Sequence, residues 1–263
     1  MPKMRRNVES ARRFNVFRAR NRQRKKGARC YNLAMKTGWI FLLDLLLDGV
    51  MVTLALRLGG GGALLATQLK YLQRARTKLP SYYRARCILP PLAFEQASSE
   101  AVAAEKRYGG ALCIDLTCGL GVDSAHFSKS FDRVIAVERD PVTARVAAVN
   151  FSLLGISNIE VVNDSAEHFI ESFPGTADLV YADPARRGEG NRKVFRFEEC
   201  SPDIVSLLPA IREKTRRVVV KASPLFDIDE AFRLFGDRIT VDIVSRQGEC
   251  KEVLIDVPSA PDA

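Results

Sequence analysis

The chain has 263 residues, of which 47% are hydrophobic and 27% are charged. This composition supplies enough apolar side chains for a buried core and excludes a wholly disordered chain. The length predicts one large domain or two small ones. The formal net charge is +9, but 13 of the 40 basic residues lie in residues 1–38 beside one acid, Glu9. Residues 39–263 hold 27 basic and 30 acidic residues, so the basicity belongs to an N-terminal arm.

Residues 1–38 are rich in arginine and predict a mostly disordered basic arm. Three interpretations fit this arm: an organelle-targeting peptide, an upstream extension that is not part of the fold, or a segment that binds the phosphates of a nucleic acid. The apolar stretch 39–58 is long enough to span a membrane, but Asp44 and Asp48 would each cost about 2.5–3.5 kcal/mol near the bilayer centre. We therefore expect a helix of a soluble protein there, within a small helical region over residues 39–107.

Six cysteines occur without a CxxC pair, and only two histidines accompany them. Zinc sites need such closely spaced ligands, so no metal site is predicted. A chain of this length without a secretory signal is not expected to depend on disulfides, which predicts reduced thiols and a cytoplasmic protein. His126 and His168 lie on predicted helices without a catalytic partner motif, and we interpret both as packing or surface residues.

From residue 111 onward, apolar strands alternate with helices. The predicted strands are "ALCIDLT", "RVIAVER", "IEVVND", "ADLVYAD", "RRVVVKAS", "ITVDIVSR" and "CKEVLIDV". Such strands, separated by helices, indicate a parallel sheet that is covered on both faces. The last two strands are joined by "QGE", which predicts an antiparallel hairpin. The predicted fold class is α/β: a doubly wound, mostly parallel, seven-stranded Rossmann-like sheet with an antiparallel edge strand, over residues 108–257, followed by a tail (258–263).

The stretch "DLTCGLGVD" (115–123) joins the first strand to the first helix of the predicted sheet. Gly119 and Gly121 permit a tight turn and let a ligand approach the backbone, although glycine also forms turns that bind nothing. A dinucleotide-binding fingerprint would need a third glycine at position 124, where the chain has Ser124. This difference disfavours NAD, which stays an alternative to another nucleoside-containing cofactor.

Four acids each end one of four successive predicted strands: Asp115, Glu138, Asp164 and Asp183. The carboxyl ends of parallel strands meet at one edge, where open α/β sheets bind ligands. An acid after the second strand suits ribose hydroxyls, and an acid after the third strand can face an adenine amino group. One such acid is often only a helix cap, but four at successive strand ends indicate a ligand-binding edge.

The motifs "DLTCGLGVD", "VERD", "NDS" and "DPAR", in this order, resemble those of the class I S-adenosylmethionine-dependent methyltransferases. That family's sheet also ends in an antiparallel strand. The resemblance implies S-adenosyl-L-methionine as the cofactor, with the methionine end lined from the first loop, the ribose held by Glu138 and the adenine by Asp164. The implied cofactor-binding set is Asp115, Thr117, Gly119, Gly121, Asp123, Glu138, Asp164 and Ser165.

A narrower likeness covers about residues 64–257, through "KLPSYY", "PPLAFEQASSEA", "DPARR" and "VKASPL". These stretches resemble bacterial methyltransferases of the THUMP-like-domain group, many of which carry a further small domain after the catalytic one. We expect that C-terminal domain to be lacking here. The likeness implies an RNA substrate and does not distinguish tRNA from rRNA.

The loop "DPAR" (183–186) marks the acceptor side of the predicted site. Families that methylate exocyclic amino groups of bases carry an acid or amide, two prolines and an aromatic residue there. The resemblance therefore implies that Asp183 and Pro184 are catalytic. Arginine can stack on a base or bind phosphate, and a solvated turn or a structural ion pair is the alternative. The residues predicted to bind substrate are Arg186, Arg187 and Lys221.

Uracil-C5 methyltransferases also follow an acid–proline pair with an arginine, but they need a nucleophilic cysteine beyond the next strand. Residues 222–224 are alanine, serine and proline here, which disfavours that reaction. The sequence thus predicts an S-adenosylmethionine-dependent methyltransferase that acts on a base in RNA, without a membrane or metal partner. The alternatives are a nicotinamide-dependent oxidoreductase on the same sheet and a catalytically inactive protein that binds nucleic acid through its basic arm.

Overall fold

The computed structural model describes residues 60–186, 197 and 200–258. The chain divides into two units, residues 1–66 and residues 67–263. Of the first unit, the structure describes the beginning of one helix. All that follows concerns the second unit.

Some sequence predictions fall on residues outside the described ranges. These are the basic arm (1–38), the apolar stretch 39–58 and Arg187. Within the described ranges, no helix has the length and apolar character needed to cross a membrane.

The described helices alternate with strands from residue 110 onward. The helices are α1 (Gly60–Lys78), α2 (Pro80–Arg84), α3 (Pro91–Gln96), α4 (Glu100–Ala103), α5 (Val122–Phe127), α6 (Pro141–Leu153), α7 (Ala166–Ser172), α8 (Ile204–Lys214) and α9 (Ile228–Phe235). The strands are β1 (Gly110–Asp115), β2 (Phe131–Val137), β3 (Ile159–Val162), β4 (Leu179–Ala182), β5 (Ala185–Arg186), β6 (Cys200–Ser201), β7 (Arg217–Ala222), β8 (Thr240–Arg246) and β9 (Glu249–Pro258).

Seven of these strands form one sheet in the order β3-β2-β1-β4-β7-β9-β8. Strands β1, β2, β3, β4 and β7 run parallel to their neighbours in that group. Strand β9 is antiparallel to both β7 and β8 and lies between them. The predicted fold class, a mostly parallel seven-stranded Rossmann-like sheet with an antiparallel edge strand, is confirmed: the edge strand β8 pairs antiparallel with β9.

The hairpin between β8 and β9 turns at two residues, Gln247 and Gly248, whose φ angles are +54° and +79°. Two consecutive residues with positive φ are typical of the type I′ turn, whose twist matches that of the flanking strands. The turn therefore lies where the "QGE" pattern predicts it.

Both faces of the sheet are covered, because alternate strand residues point to opposite faces. On one face, Ile114 and Val180 pack with the apolar sides of α7, α8 and α9. On the other, Leu179 and Tyr181 pack with Phe127 of α5. The sheet is thus doubly wound, as predicted.

Residues 67–104, the helical segment, share a buried core with the first loop of the sheet domain. Tyr82 and Phe94 of this segment pack in one cluster with Leu120 and Val122. Two amide side chains hold the backbone that follows α2. Asn150 of α6 bonds both backbone groups of Ile88 at 2.8 and 2.9 Å, and Gln68 of α1 bonds Cys87 and Leu89 at 2.7 and 3.0 Å. The segment is therefore fixed to the sheet domain.

Gly121 precedes α5 with a φ of +81°, and a Cβ atom there would overlap the ring of Phe151. We predict that Gly121→Ala lowers the free energy of unfolding by about 2–4 kcal/mol, from a left-handed backbone and an overpacked core. Gly155→Ala is the matched control: its φ is +72° and nothing lies within 4 Å of the added Cβ. It should lower that free energy by only about 1–2 kcal/mol.

Urea denaturation of the two variants measures both values. Equal losses would show that the contact with Phe151 does not require glycine at position 121.

Candidate functional site

A cleft of about 830 Å³ opens at the carboxyl edge of the parallel strands. This is the edge at which open α/β sheets bind ligands, and the volume is in the range of small-molecule sites. Residues of the loop after β1 and residues that follow β2, β3 and β4 line the cleft. Leu92, Ala93 and Gln96 of α3, in the helical segment, line it as well.

Six of the thirteen predicted site residues line this cleft. Those that line it are Thr117, Gly119, Asp123, Glu138, Asp164 and Asp183. Five other predicted residues are not among its lining residues: Asp115, Gly121, Ser165, Pro184 and Lys221.

The Asp115 side chain holds the first loop through hydrogen bonds. Its side chain is buried, and it accepts hydrogen bonds from the Thr117 backbone N–H at 3.0 Å and from the Ser124 hydroxyl at 2.5 Å. Burial raises the pKa of Asp115 from 3.8 to about 7, although both hydrogen bonds oppose this shift. Asp115 therefore shapes the loop that lines the cleft.

Thr117 joins the first loop to the loop after β4. Its hydroxyl accepts a hydrogen bond of 2.6 Å from the backbone N–H of Asp183. The end of β1 and the end of β4 are neighbours in the sheet, so this single bond fixes the two loops relative to each other.

The two glycines of the first loop have different structural roles. Gly119 lines the cleft with a φ of +54°, and a Cβ atom there would meet only the Thr117 carbonyl at 3.9 Å. Its backbone N–H donates to Glu138 Oε2 at 2.9 Å, while the N–H of Asp140 donates to Oε1 at 2.9 Å. The Glu138 carboxylate is thus held at the cleft by two backbone donors, whereas Gly121 is required by its packing against Phe151.

Asp164 lines the cleft after β3 and is paired with His168. The Asp164 carboxylate contacts His168 Nδ1 at 2.6 Å and accepts from the Ser165 backbone N–H at 2.8 Å. The hydrogen bond with His168 lowers the pKa of Asp164 and raises that of His168. Ser165 caps α7 by accepting from the His168 backbone N–H at 3.1 Å. The sequence predicts that Ser165 contacts the cofactor, but Ser165 is not among the residues that line the cleft.

Asp183 is half-buried at the cleft and is bonded to Lys221 from β7. The Lys221 ammonium donates to Asp183 Oδ2 at 2.6 Å and to the Ser98 hydroxyl at 3.0 Å, and it lies 3.7 Å from Glu252. Burial lowers the pKa of Lys221, but the charges of Asp183, Asp123 and Glu252 outweigh burial and raise it overall. Lys221 is therefore charged and supports Asp183.

Lys106 forms the other half of this buried ionic group. Its side chain is 0% exposed, lies 3.0 Å from Asp123 and forms an ion pair with Glu252. Burial raises the pKa of Glu252, whereas for Asp123 the nearby lysines outweigh burial and lower it. Asp123 also accepts a hydrogen bond of 3.0 Å from the hydroxyl of Tyr181. Five ionisable side chains thus form a connected chain that reaches the cleft at Asp123 and Asp183.

Sequence reasoning missed Lys106, Glu252 and Tyr181 as parts of the site. Glu252, at the start of the apolar run of β9, is the sequence feature that could have indicated this group. A charged side chain in a strand covered on both faces needs a partner of opposite charge. A terminal hairpin strand can expose such a side chain, so the sequence alone does not require that partner.

The loop after β4 is held by a short second sheet. Ala185 and Arg186 of β5 pair antiparallel with Ser201 and Cys200 of β6. Arg139, which follows Glu138, donates to the Ser201 hydroxyl at 2.7 Å. Pro184 is buried. In the described part of the chain, no group of three His, Cys, Asp or Glu side chains is placed to hold a metal ion.

The sequence is similar to proteins that are named as methyltransferases. An uncharacterised S-adenosylmethionine-dependent methyltransferase of Mycobacterium tuberculosis is 31% identical over 166 residues, which are 62% of this chain and 44% of that protein. A tRNA/tmRNA (uracil-C(5))-methyltransferase of Aliivibrio salmonicida is 30% identical over 139 residues, 43% of this chain and 37% of that protein. The chain thus spans less than half of the length of these relatives. No protein-family model matches it.

The fold has a counterpart among solved structures. A candidate methyltransferase from Porphyromonas gingivalis W83 superimposes with a TM-score of 0.65 and 27% identity, and the match covers 77% of this chain and 51% of that chain. The seven-stranded sheet described above is therefore the Rossmann-like fold of methyltransferases.

The raised pKa of Asp115 leads to a prediction about stability. Folding favours the protonated carboxyl, so the stability that it contributes is full below about pH 4 and is lost as the pH rises to about 7. Asp115→Asn keeps a neutral group that can still bond Thr117 and Ser124. We expect the wild type to lose free energy of unfolding relative to this variant by up to about 1.4 kcal/mol per pH unit across that window.

Urea denaturation between pH 4 and pH 8 measures this difference. Asp132→Asn, at an exposed position of β2, controls for the loss of one negative charge. A constant difference between wild type and Asp115→Asn across the pH range would contradict the prediction.

Proposed function

We propose that the protein is an S-adenosyl-L-methionine-dependent methyltransferase. The observation that carries this proposal is the convergence of Glu138, Asp164 and Asp183, from the ends of three strands, with the loop 116–120 at one cleft. Relatives named as S-adenosylmethionine-dependent methyltransferases support it, and so does the structural neighbour from P. gingivalis.

The proposed cofactor contacts follow from the positions of these groups. Glu138, whose carboxylate is fixed by two backbone donors, accepts hydrogen bonds from the ribose hydroxyls. Asp164 faces the adenine amino group. Residues Thr117 and Gly119 line the methionine end, while Asp115 acts through the loop conformation that it holds. The acidic lining also suits a cofactor with a positively charged sulfur.

We infer that Asp183 binds the acceptor group. Its backbone is held by Thr117 and its carboxylate by Lys221, so its orientation is set before a substrate binds. An ionised carboxylate accepts a hydrogen bond from an N–H group and thereby orients the nitrogen lone pair. When bound, S-adenosyl-L-methionine would supply an electrophilic methyl group on its sulfonium sulfur. Asp183 would hold the acceptor nitrogen beside that group, the sulfur would keep the electron pair of the broken carbon–sulfur bond, and the proton of the nitrogen would pass to solvent.

The proposed substrate is RNA, methylated at a nitrogen of a base. Relatives named as an RNA methyltransferase of Thermotoga maritima and as tRNA/tmRNA (uracil-C(5))-methyltransferases support an RNA substrate. Methylation at uracil C5 needs a thiolate, and residues 222–224 contain no cysteine. Cys118 lines the cleft, but burial raises its pKa well above the usual range. These facts favour a nitrogen acceptor, and the narrower likeness to the THUMP-like-domain group stays a prediction.

The nicotinamide-dependent alternative is less well supported by the first loop. Ser124 stands where the dinucleotide fingerprint has glycine, it is fully buried, and its hydroxyl bonds Asp115. A glycine there would permit the close helix–strand packing of that fingerprint, whereas this serine is part of the hydrogen bonding that shapes the loop.

Calorimetric titration with S-adenosylhomocysteine and with NADH tests the cofactor. We expect binding of S-adenosylhomocysteine and at least about a tenfold loss of affinity in Glu138→Gln, because the amide lacks the charge that strengthens hydrogen bonds to the ribose and cannot accept from both backbone N–H groups that hold Glu138. Glu160→Gln, an exposed glutamate of β3, should bind as the wild type does. Binding of NADH alone would overturn the proposal.

Transfer of labelled methyl groups to RNA from cells that lack the protein tests the role of Asp183. We expect Asp183→Asn to lower this transfer at least about 100-fold, because the negative charge that strengthens the hydrogen bond to the acceptor and pairs with Lys221 is lost, while S-adenosylhomocysteine still binds. Asp132→Asn should retain full transfer.

The pH dependence of activity in Lys221→Met shows whether Lys221 positions an ionised Asp183 or only stabilises the fold. Burial raises the pKa of Asp183 and Lys221 opposes this, so removal of Lys221 raises that pKa further. The acid side of the activity profile should therefore move to higher pH. A uniform loss of activity at every pH would contradict the pairing of Lys221 with an ionised Asp183.

A further inference from the structure

The sheet domain by itself is a poor surface for a polyanion. Residues 108–258 hold 18 basic and 24 acidic residues, a net charge of −6. Among the described lining residues of the cleft, six are acids and one, Arg139, is basic. A nucleic acid gains most of its affinity from contacts between phosphates and basic side chains, so an RNA substrate needs a basic surface elsewhere.

The helical segment (67–104) has the opposite charge. It contains six basic residues and two acids, Glu95 and Glu100. Four of the basic side chains are exposed and two are half-buried. We call these six residues the basic surface: Lys70, Arg74, Arg76, Lys78, Arg84 and Arg86.

Aromatic rings hold these cations close together despite their mutual repulsion. The guanidinium groups of Arg76 and Arg86 lie 5.5 and 4.9 Å from the centre of the Tyr83 ring. Arg74 lies 5.2 Å from the centre of the Tyr71 ring. Such cation–π contacts hold planar guanidinium groups that can bind phosphates or stack on bases.

Arg86 stands at a position that the backbone alone would give to glycine. Its φ is +55°, and it follows the last turn of α2. The N–H groups of Arg86 and Cys87 donate to the carbonyls of Tyr83 and Tyr82 at 3.2 and 3.0 Å, which is the Schellman motif that commonly ends helices at glycine. Arginine in this left-handed conformation is less stable than glycine. The presence of arginine at position 86 is therefore explained by its side chain and not by the geometry of the turn.

The basic surface lies next to the cleft through α3. Leu92 and Gln96 of α3 line the cleft. From the side of α1, the Lys78 ammonium donates to the Phe94 carbonyl at 2.6 Å, and Arg74 pairs with Glu95. Ser98, two residues after the end of α3, accepts a hydrogen bond of 3.0 Å from Lys221, the partner of Asp183. The segment that carries the basic surface therefore contacts the Lys221–Asp183 pair directly.

We propose that the basic surface binds the sugar-phosphate backbone of the RNA substrate and so delivers one nucleotide across α3 to Asp183. This inference rests on the proposed function, because it names the surface that positions the same substrate. The two hydrogen bonds between the Asn150 side chain and the backbone of Ile88, together with the shared core, attach this surface to the sheet domain beside the cleft.

The test uses the full chain and an unmodified, in vitro transcribed tRNA pool, with binding measured by fluorescence anisotropy at several salt concentrations. In the double variant Lys70→Ala/Arg86→Gly, we expect at least about a tenfold lower affinity at 0.1 M salt. We also expect a salt slope that is less steep by about two, since each lost phosphate contact removes about one. The control is Lys129→Ala/Arg216→Ala, which removes two exposed basic residues at the opposite, amino edge of the sheet.

Arg86→Gly alone separates binding from folding. Its melting temperature should equal or exceed that of the wild type, because glycine suits the positive φ, while its affinity for RNA falls. A lower melting temperature with unchanged affinity would assign Arg86 to stability and overturn its role in the basic surface.

Titration of every variant with S-adenosylhomocysteine distinguishes the two levels of the proposal. If the wild type binds S-adenosylhomocysteine and the double variant binds RNA as tightly as the control variant does, the proposed role of the basic surface is overturned and the proposed function stands. The same holds if the wild type does not bind RNA. Failure of the wild type to bind S-adenosylhomocysteine overturns the proposed function itself. The N-terminal arm is the same in every variant, so differences between variants report on the basic surface.

Discussion

The ionic chain of two lysines and three carboxylates is the constraint on which the candidate site depends. Lys106 precedes β1, Asp123 begins α5, Glu252 lies on β9, Lys221 ends β7 and Asp183 follows β4. Removing one partner from such a buried group leaves an uncompensated charge, which is strongly destabilising. In the observed strand order β9 lies beside β7, and this places Glu252 next to both lysines.

This arrangement sets the charge of the cleft. The buried group carries one more negative than positive charge when all its members are ionised, and Asp183 is the member that is half-exposed at the opening. An acidic cleft suits a cationic cofactor and repels a polyanion. The helical segment (67–104) compensates with the opposite charge, and its shared core with Leu120 and Val122 keeps it beside the cleft.

Much of the fold and the site could be predicted from the sequence, because the relevant signals are local. Alternating apolar strands and helices specify a parallel sheet covered on both faces, and "QGE" specifies the hairpin. Acids placed directly after successive strands must share one edge, whatever the details of packing. For this reason Glu138, Asp164 and Asp183 could be placed at the cleft without coordinates.

The sequence by itself determined the succession of strands and helices along the chain and the edge of the sheet at which the cleft opens, since both follow from neighbours along the chain. Only the tertiary structure decided the partners of the charged groups and the reason for each glycine. Lys106 and Glu252 are 146 residues apart in the chain, and Gly121 is required by Phe151, a residue of another helix. Such contacts depend on how elements pack across the sheet, and a local pattern carries no record of that packing.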